Sequence, residues 1–188
     1  KDVDYDTAPS GAYPGMEHVD RLRTIARAYS IPNQPLFESE AAMTAIERAL
    51  PAIETKMLKL TPGGQRQTPG NWWWWNLNLP FKLGFVLSVA EGKISPQVFG
   101  ESMISLKWCL SHPLDWYMKG LKGQATNSTD AIKGNLYYAM LSKNEADIQF
   151  IVSEFGESLK RVERPYEGIT EDGGYVAHNM EDFYGYFS

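Results

Sequence analysis

Met16-Glu17-His18-Val19-Asp20-Arg21-Leu22-Arg23-Thr24-Ile25-Ala26-Arg27-Ala28-Tyr29 places Val19, Leu22, Ile25, Ala26 and Tyr29 at helical spacing. Apolar residues recurring at three- and four-residue steps line one face of an amphipathic helix. Pro32 and Pro35 end it. Before it, residues 5–14 are turn-rich. After it, a second helix is expected over residues 39–59, with Ala42, Ile46, Ala49, Ile53, Met57 and Leu60 near one face. Pro51 should kink or divide that helix. Residues 61–70 hold three glycines and two prolines and read as a loop.

The same reading continues down the chain. Residues 81–91 form a third helix, and Gly92 terminates it. Ser95-Pro96 is an N-cap followed by proline at the first helical position, opening a helix through Cys109. Residues 115–123 connect it to a helix capped by Ser128 or Thr129 and reaching Leu141. A further helix spans 143–159, broken near Gly156. Residues 165–188, rich in glycine and tyrosine, read as a functional loop and the start of another helix. Little reads as strand. Successive helices of about 12–20 residues joined by loops predict an all-α fold of antiparallel helical hairpins.

The totals agree with a globular chain. Its 188 residues suit one domain, 43% are hydrophobic and 22% are charged. No stretch is long and apolar enough to span a membrane. The net charge of −5 supplies no overall field for nucleic acid. Lys119, Lys122, Lys133, Lys160, Arg161 and Arg164, in the second half, read mostly as solvated helix faces. Cys109, the single cysteine, sits in an apolar helix beside Trp108 and Leu110, and a buried inert thiol is expected.

One segment departs from this pattern. Asn71-Trp72-Trp73-Trp74-Trp75-Asn76 runs on into Leu77-Asn78-Leu79-Pro80. A helix would spread four consecutive rings around its circumference, and a strand would send alternate rings to opposite faces. Some of them are left to water or to a ligand. Flat aromatic faces beside amide side chains suit a sugar, whose C–H faces stack on the rings while its hydroxyls bond the amides. Asn71, Trp72, Trp73 and Trp74 are therefore the candidate substrate-binding residues. The competing account is a wrapped core corner with one ring left out.

Among the histidines, His18 lies at the start of the first helix and His112 precedes Pro113 at a helix end, where capping accounts for it. His178 stands apart. It follows Glu171-Asp172-Gly173-Gly174-Tyr175-Val176-Ala177 and precedes Tyr184 and Tyr186, so a base and a phenolic donor lie within reach of one another. His178, Glu181 and Asp182 offer three possible metal ligands, but no second cluster stands at a recognised spacing. No cofactor motif is present.

Three segments, in this order, together resemble polysaccharide lyase family 8, the bacterial lyases of chondroitin, hyaluronan and xanthan. Asp4-Tyr5 through His18-Val19-Asp20-Arg21-Leu22 is similar to the family's opening helix. Asn71 to Trp75 with Pro80 is similar to its tryptophan element. Asn127-Ser128-Thr129-Asp130, continuing to Asp172-Gly173-Gly174-Tyr175-Val176-Ala177-His178, is similar to its catalytic stretch. The resemblance implies an (α/α) toroid whose cleft binds an acidic polysaccharide and cuts it by β-elimination. Residues 1–188 would form part of that single catalytic domain, in a protein secreted or periplasmic in a bacterium.

On that resemblance, Asn127 binds the uronate carboxylate as charge builds on it, and His178 assists as base or as a partner on the carboxylate side. A tyrosine serves as acid. In the chondroitin AC and hyaluronan lyases that tyrosine falls nine residues after the histidine, where this chain has Phe187. Tyr186 is the preferred replacement, then Tyr184. Family members are several times longer, so the rest of the toroid and β-sandwich domains are expected beyond this part. Two other functions remain open. One is a non-catalytic carbohydrate-binding domain. The other is a glycoside hydrolase using a carboxylate pair from among Glu171, Asp172, Glu181 and Asp182.

Overall fold

A computed structural model describes residues 3, 14–59, 71–110, 125–158, 168–169 and 175–176. The chain divides into two compact units, Lys1–Ser111 and His112–Ser188.

In the first unit, α1 (Met16–Ser30) packs against α2 (Glu40–Ala49) and α3 (Leu79–Ala90), and α3 packs in turn against α4 (Pro96–Cys109). The stripe predicted for α1 is the one it buries, through Met16, Val19, Leu22 and Ala26. Ser39 caps α2, its hydroxyl accepting from the Ala42 N–H at 3.4 Å. Pro51 divides the second helix as expected: α2 ends at Ala49, and a π-helical turn over Ile53–Leu58 follows. That turn ends at Lys59 in the left-handed conformation, φ 46°.

Ser95 and Pro96 open α4 as read from the sequence, with the Ser95 hydroxyl accepting from the Val98 N–H at 3.4 Å. Gly92, at φ 69°, lies just past the end of α3, where a left-handed residue turns the chain out of the helix. Cys109 is buried.

Helix α3 is apolar on nearly every side and forms the centre of the unit. Leu79, Leu83, Val86, Leu87 and Ala90 are all fully buried, as a helix hydrophobic all round must be. The exception in kind is Lys82, only 8% exposed, whose ammonium reaches Asp20 of α1 at 2.6 Å. A buried ammonium needs such a partner. His18 makes a second tie: its Nε2–H donates to the Ala49 carbonyl at 3.1 Å, joining α1 to the end of α2. A third runs from Glu47 of α2, whose carboxylate accepts from the Ser95 N–H at 2.9 Å, at the start of α4.

In the second unit, α5 (Ala125–Leu141) packs on α6 (Glu145–Ser158). The link of Ser142, Lys143 and Asn144 is too short for anything but an αα-hairpin. Lys143, at φ 55°, turns the chain, with the Asn144 N–H bonded to the Ala139 carbonyl at 2.9 Å and the Lys143 N–H to that of Met140 at 3.1 Å. Both bonds close the end of α5. Asn144 then opens α6, its Oδ1 accepting from the Asp147 N–H at 3.2 Å.

Three details differ from the sequence reading. Helix α5 begins at Ala125, so Ser128 and Thr129 lie inside it and do not cap it. Helix α6 runs through Gly156 without a break, and nothing crowds that glycine, so its cost is entropic only. Gly168–Ile169 and Tyr175–Val176 pair as a two-residue antiparallel ladder, Gly168 opposite Val176. Apart from that ladder the described residues are helical or in turns.

Candidate functional site: an aromatic shelf at the head of a buried helix

The tryptophan run is helical. Asn71 begins it: its side-chain Oδ1 accepts from the Trp73 N–H at 2.9 Å, and its carbonyl accepts from the Trp74 N–H at 3.2 Å. This is an asparagine N-cap, in which a side-chain oxygen satisfies an amide that has no partner inside the helix. The amide expected to bond sugar hydroxyls therefore already commits its oxygen to the backbone.

From Trp72 the helix continues into a second π-helical turn, Trp74–Asn78, and from there directly into α3. The Leu79 N–H bonds the Trp74 carbonyl, five residues back. Pro80 gives a local reason for the wide turn. It has no N–H to donate, and in an α-helix its ring would strike the carbonyl of Asn76. Opening the turn moves that carbonyl away. The Asn78 Oδ1 is left buried without a hydrogen-bond partner.

Four identical side chains end in different environments. Trp75 is 1% exposed and packed in the core, whereas Trp72 is 47% exposed. Trp73 and Trp74 are half-buried and meet edge to face, with centroids 5.0 Å apart and planes at 84°. That geometry suits the aromatic quadrupole and holds both rings still. The result is an outward indole beside two half-covered ones, on a helix anchored in the core by Trp75. Such a surface can take the apolar face of a sugar ring.

Burial holds the His18 imidazole below its ordinary value of 6.5; the Ala49 carbonyl opposes this and the Arg21 charge reinforces it. His18 is thus a neutral structural link between α1 and α2. Among the described residues no cluster of His, Cys, Asp and Glu could hold a metal ion.

The structure brings Asn71, Trp72, Trp73 and Trp74 together in the first unit. Asn127 belongs to the second unit, where its backbone lies in the first turn of α5. His178, Tyr184, Tyr186 and Phe187 lie outside the described residues, as do His112, Glu171, Asp172, Glu181 and Asp182. The sequence reading set Trp75 and Pro80 in the tryptophan element by resemblance but gave neither of them, nor Asn78, a role in the shelf. The one available signal was a proline a few residues inside what proves to be a continuous helix.

Comparison with known proteins places this arrangement. Residues 1–187 match the N-terminal α-helical domain of polysaccharide lyase family 8, and the chain belongs to that family. It is 24% identical over 178 residues to the hyaluronate lyase HylB of Enterococcus faecalis, an alignment covering 88% of this chain and 17% of that protein. The fold is shared with a chondroitinase AC lyase solved with oligosaccharides, at a TM-score of 0.69 and 19% identity, over 95% of this chain and 24% of that one. It is shared likewise with a Streptomyces coelicolor chondroitin AC lyase in complex with chondroitin sulphate, at a TM-score of 0.69 and 20% identity, covering 86% and 21%. A Paenibacillus xanthan lyase has a TM-score of 0.68 at 18% identity, covering 93% and 16%. The chain thus spans a quarter or less of the length of these relatives. No described helix is long and apolar enough to cross a membrane.

Proposed function

We propose that this chain is the first part of a lyase that cuts a uronate-containing acidic polysaccharide by β-elimination, with the tryptophan shelf holding the polymer. The observation that carries the reading is the exposed Trp72 on a capped, core-anchored helix, in a chain that matches the lyase domain along its length. Apolar surface made of neighbouring rings, here Trp72 beside the half-covered Trp73 and Trp74, is the kind of patch that marks a binding site.

In the reaction, a base takes the C5 proton of the uronate. The electron pair forms a C4–C5 double bond, the bond from C4 to the glycosidic oxygen breaks, and an acid protonates that oxygen. Negative charge builds on the carboxylate as the C5 proton leaves, so a neutral amide there lowers the barrier. Asn127 takes this role. The first turn of α5 supports it, because the positive end of a helix favours an anion nearby. His178 acts as base or on the carboxylate side, and Tyr186, or else Tyr184, supplies the proton. A polymer too large to enter a cell implies a secreted or periplasmic enzyme, completed by the rest of the toroid and by β-sandwich domains.

The test is ultraviolet absorbance after adding hyaluronan or chondroitin to the protein from its source. A lyase raises absorbance through the new conjugated double bond. New reducing ends without that rise would mean a hydrolase, and binding without either product would mean a carbohydrate-binding domain. Asn127→Ala should nearly abolish turnover with little change in affinity, because its amide contributes most where charge develops. Separate Tyr186→Phe and Tyr184→Phe variants identify the acid. Full activity in both would reject the assignment.

A further inference from the structure

Helices α1 and α3 run in the same direction. Asp20 and Lys82 tie them near their starts at 2.6 Å, and Lys93, just past α3, lies over the Tyr29 ring near the end of α1 at 5.8 Å. The start of α1 therefore lies at the end of α3 that carries the tryptophan run. Long side chains on a helix lean toward its N-terminus, so those on α1 lean toward that end.

Arg23 shows the lean. It stands one turn after Asp20 on α1, yet it reaches back to Phe81, the residue before Lys82, with its guanidinium carbon over the ring and 5.1 Å from the centroid. Both side chains are half-buried. The ring quadrupole holds a cation placed over its face and leaves the guanidinium N–H groups for other partners. The carboxylates nearest in sequence are engaged elsewhere, Asp20 with Lys82 and Glu17 with Arg21 at 2.7 Å. Among the described residues Arg23 meets neither a carboxylate nor a hydrogen-bond acceptor.

Phe81 lies on the open side of α3, where Phe85 is half-buried and Ser88 exposed at helical spacing from it. Two turns back from Phe81 is Trp74 by regular spacing, or Trp73 when one of those turns is wide, and these two rings touch. The shelf and the stacked arginine thus follow one another along one side of a single helix, about 10 Å apart on its axis.

We propose that Arg23 is a specificity residue for the acidic polymer: its guanidinium binds the uronate carboxylate of a sugar next to the one stacked on the shelf. A carboxylate presents two oxygens in a plane, and the planar fork of a guanidinium meets them with two parallel N–H bonds. Indoles take the apolar face of neutral and acidic sugars alike, so the discrimination between them falls to Arg23. The assignment deepens the glycan-binding reading and rests on it for the ligand.

The test uses the full chain and three ligands: a hyaluronan oligosaccharide, which has carboxylates and no sulfate, the same oligosaccharide with its carboxylates reduced to alcohols, and chondroitin sulphate. Arg23→Gln should weaken binding of the acidic hyaluronan form about tenfold, the loss of a charge-assisted contact, and leave the reduced form unchanged. Arg23→Lys keeps the charge without the fork and should lose less. Trp72→Ala should weaken both hyaluronan forms. Arg27→Gln removes the same charge from an exposed position one turn further from the shelf and should weaken neither.

An equal loss for both hyaluronan forms in Arg23→Gln would make the residue a structural one and overturn the assignment. So would an equal loss in Arg27→Gln, which would mean a general field. A loss for chondroitin sulphate alone would move the contact to a sulfate and overturn the carboxylate assignment. If Arg23→Gln does not fold, by circular dichroism, Arg23→Lys decides: a loss confined to the acidic form supports the assignment, and parental affinity overturns it. If the parent binds both hyaluronan forms and Arg23→Gln binds them equally well, the assignment fails and the glycan reading stands. If the parent binds none of the three ligands, both fail.

Discussion

Trp72 and Trp75 have the same side chain, lie within one helical turn of each other and end with opposite fates. One is 47% exposed at a capped helix start, and the other is 1% exposed against the core. The contrast shows that a run of identical residues carries no assignment of its own. Position in the helix decides which ring is mortar and which is surface: Trp75 falls in line with the buried Leu79, Lys82 and Val86, and Trp72 stands at the capped start.

Four measurements can break or sharpen the contrast. The largest effect is expected for Trp75→Ala, which should cost about 3–5 kcal/mol in urea unfolding, as deletion of a fully buried aromatic does. A loss below about 1 kcal/mol would mean that Trp75 is not the anchor. Next is Asn71→Ala, which removes the oxygen bonded to the Trp73 N–H. It should cost about 1 kcal/mol, the usual value of an N-cap, and should weaken glycan binding by loosening the start of the shelf. Asn71→Asp should restore the stability.

The third measurement works from the core side and follows His18 with pH. The folded chain holds this imidazole below 6.5, so below that pH the unfolded chain takes up a proton that the folded chain resists. Its contribution is therefore complete above pH 6.5 and declines as the pH falls from there toward the folded value. His18→Gln should flatten that part of the stability profile while its amide still donates to Ala49. An unchanged slope would assign the pH dependence elsewhere. The smallest change in stability is expected for Trp72→Ala, within about 0.5 kcal/mol as for other surface sites, even though this variant should show the clear loss of glycan binding. A large loss of stability would make Trp72 a core residue and remove the contrast.

Much of this architecture was legible in the sequence, because the signals were local. The stripe of α1, the division at Pro51, the Ser95-Pro96 start of α4 and the stop at Gly92 each depend on a few neighbouring residues. The head of α3 was not legible. Pro80 reads as a boundary, and four adjacent indoles have no period, so the helical reading began at residue 81 although helix extends back to Trp72. Ser128 and Thr129 resemble caps by type, but α5 starts before them. The ladder at Gly168–Ile169 and Tyr175–Val176 is two residues on each side, too short for any alternation to show. For the shelf, the sequence indicated that some indoles would stay in water. It could not indicate which ones, because four adjacent indoles carry no period of their own and only their continuity with α3 assigns them to a side.

The lone sulfhydryl offers a practical opening. Cys109 is sealed inside the first unit and has no counterpart elsewhere in the chain, so the native protein should be nearly silent toward maleimide reagents. A Ser88→Cys substitution, at a position open to water on α3, would then supply an addressable handle that leaves every indole of the shelf in place. A fluorophore there, excited through the indoles, would report a saccharide on the shelf without any turnover.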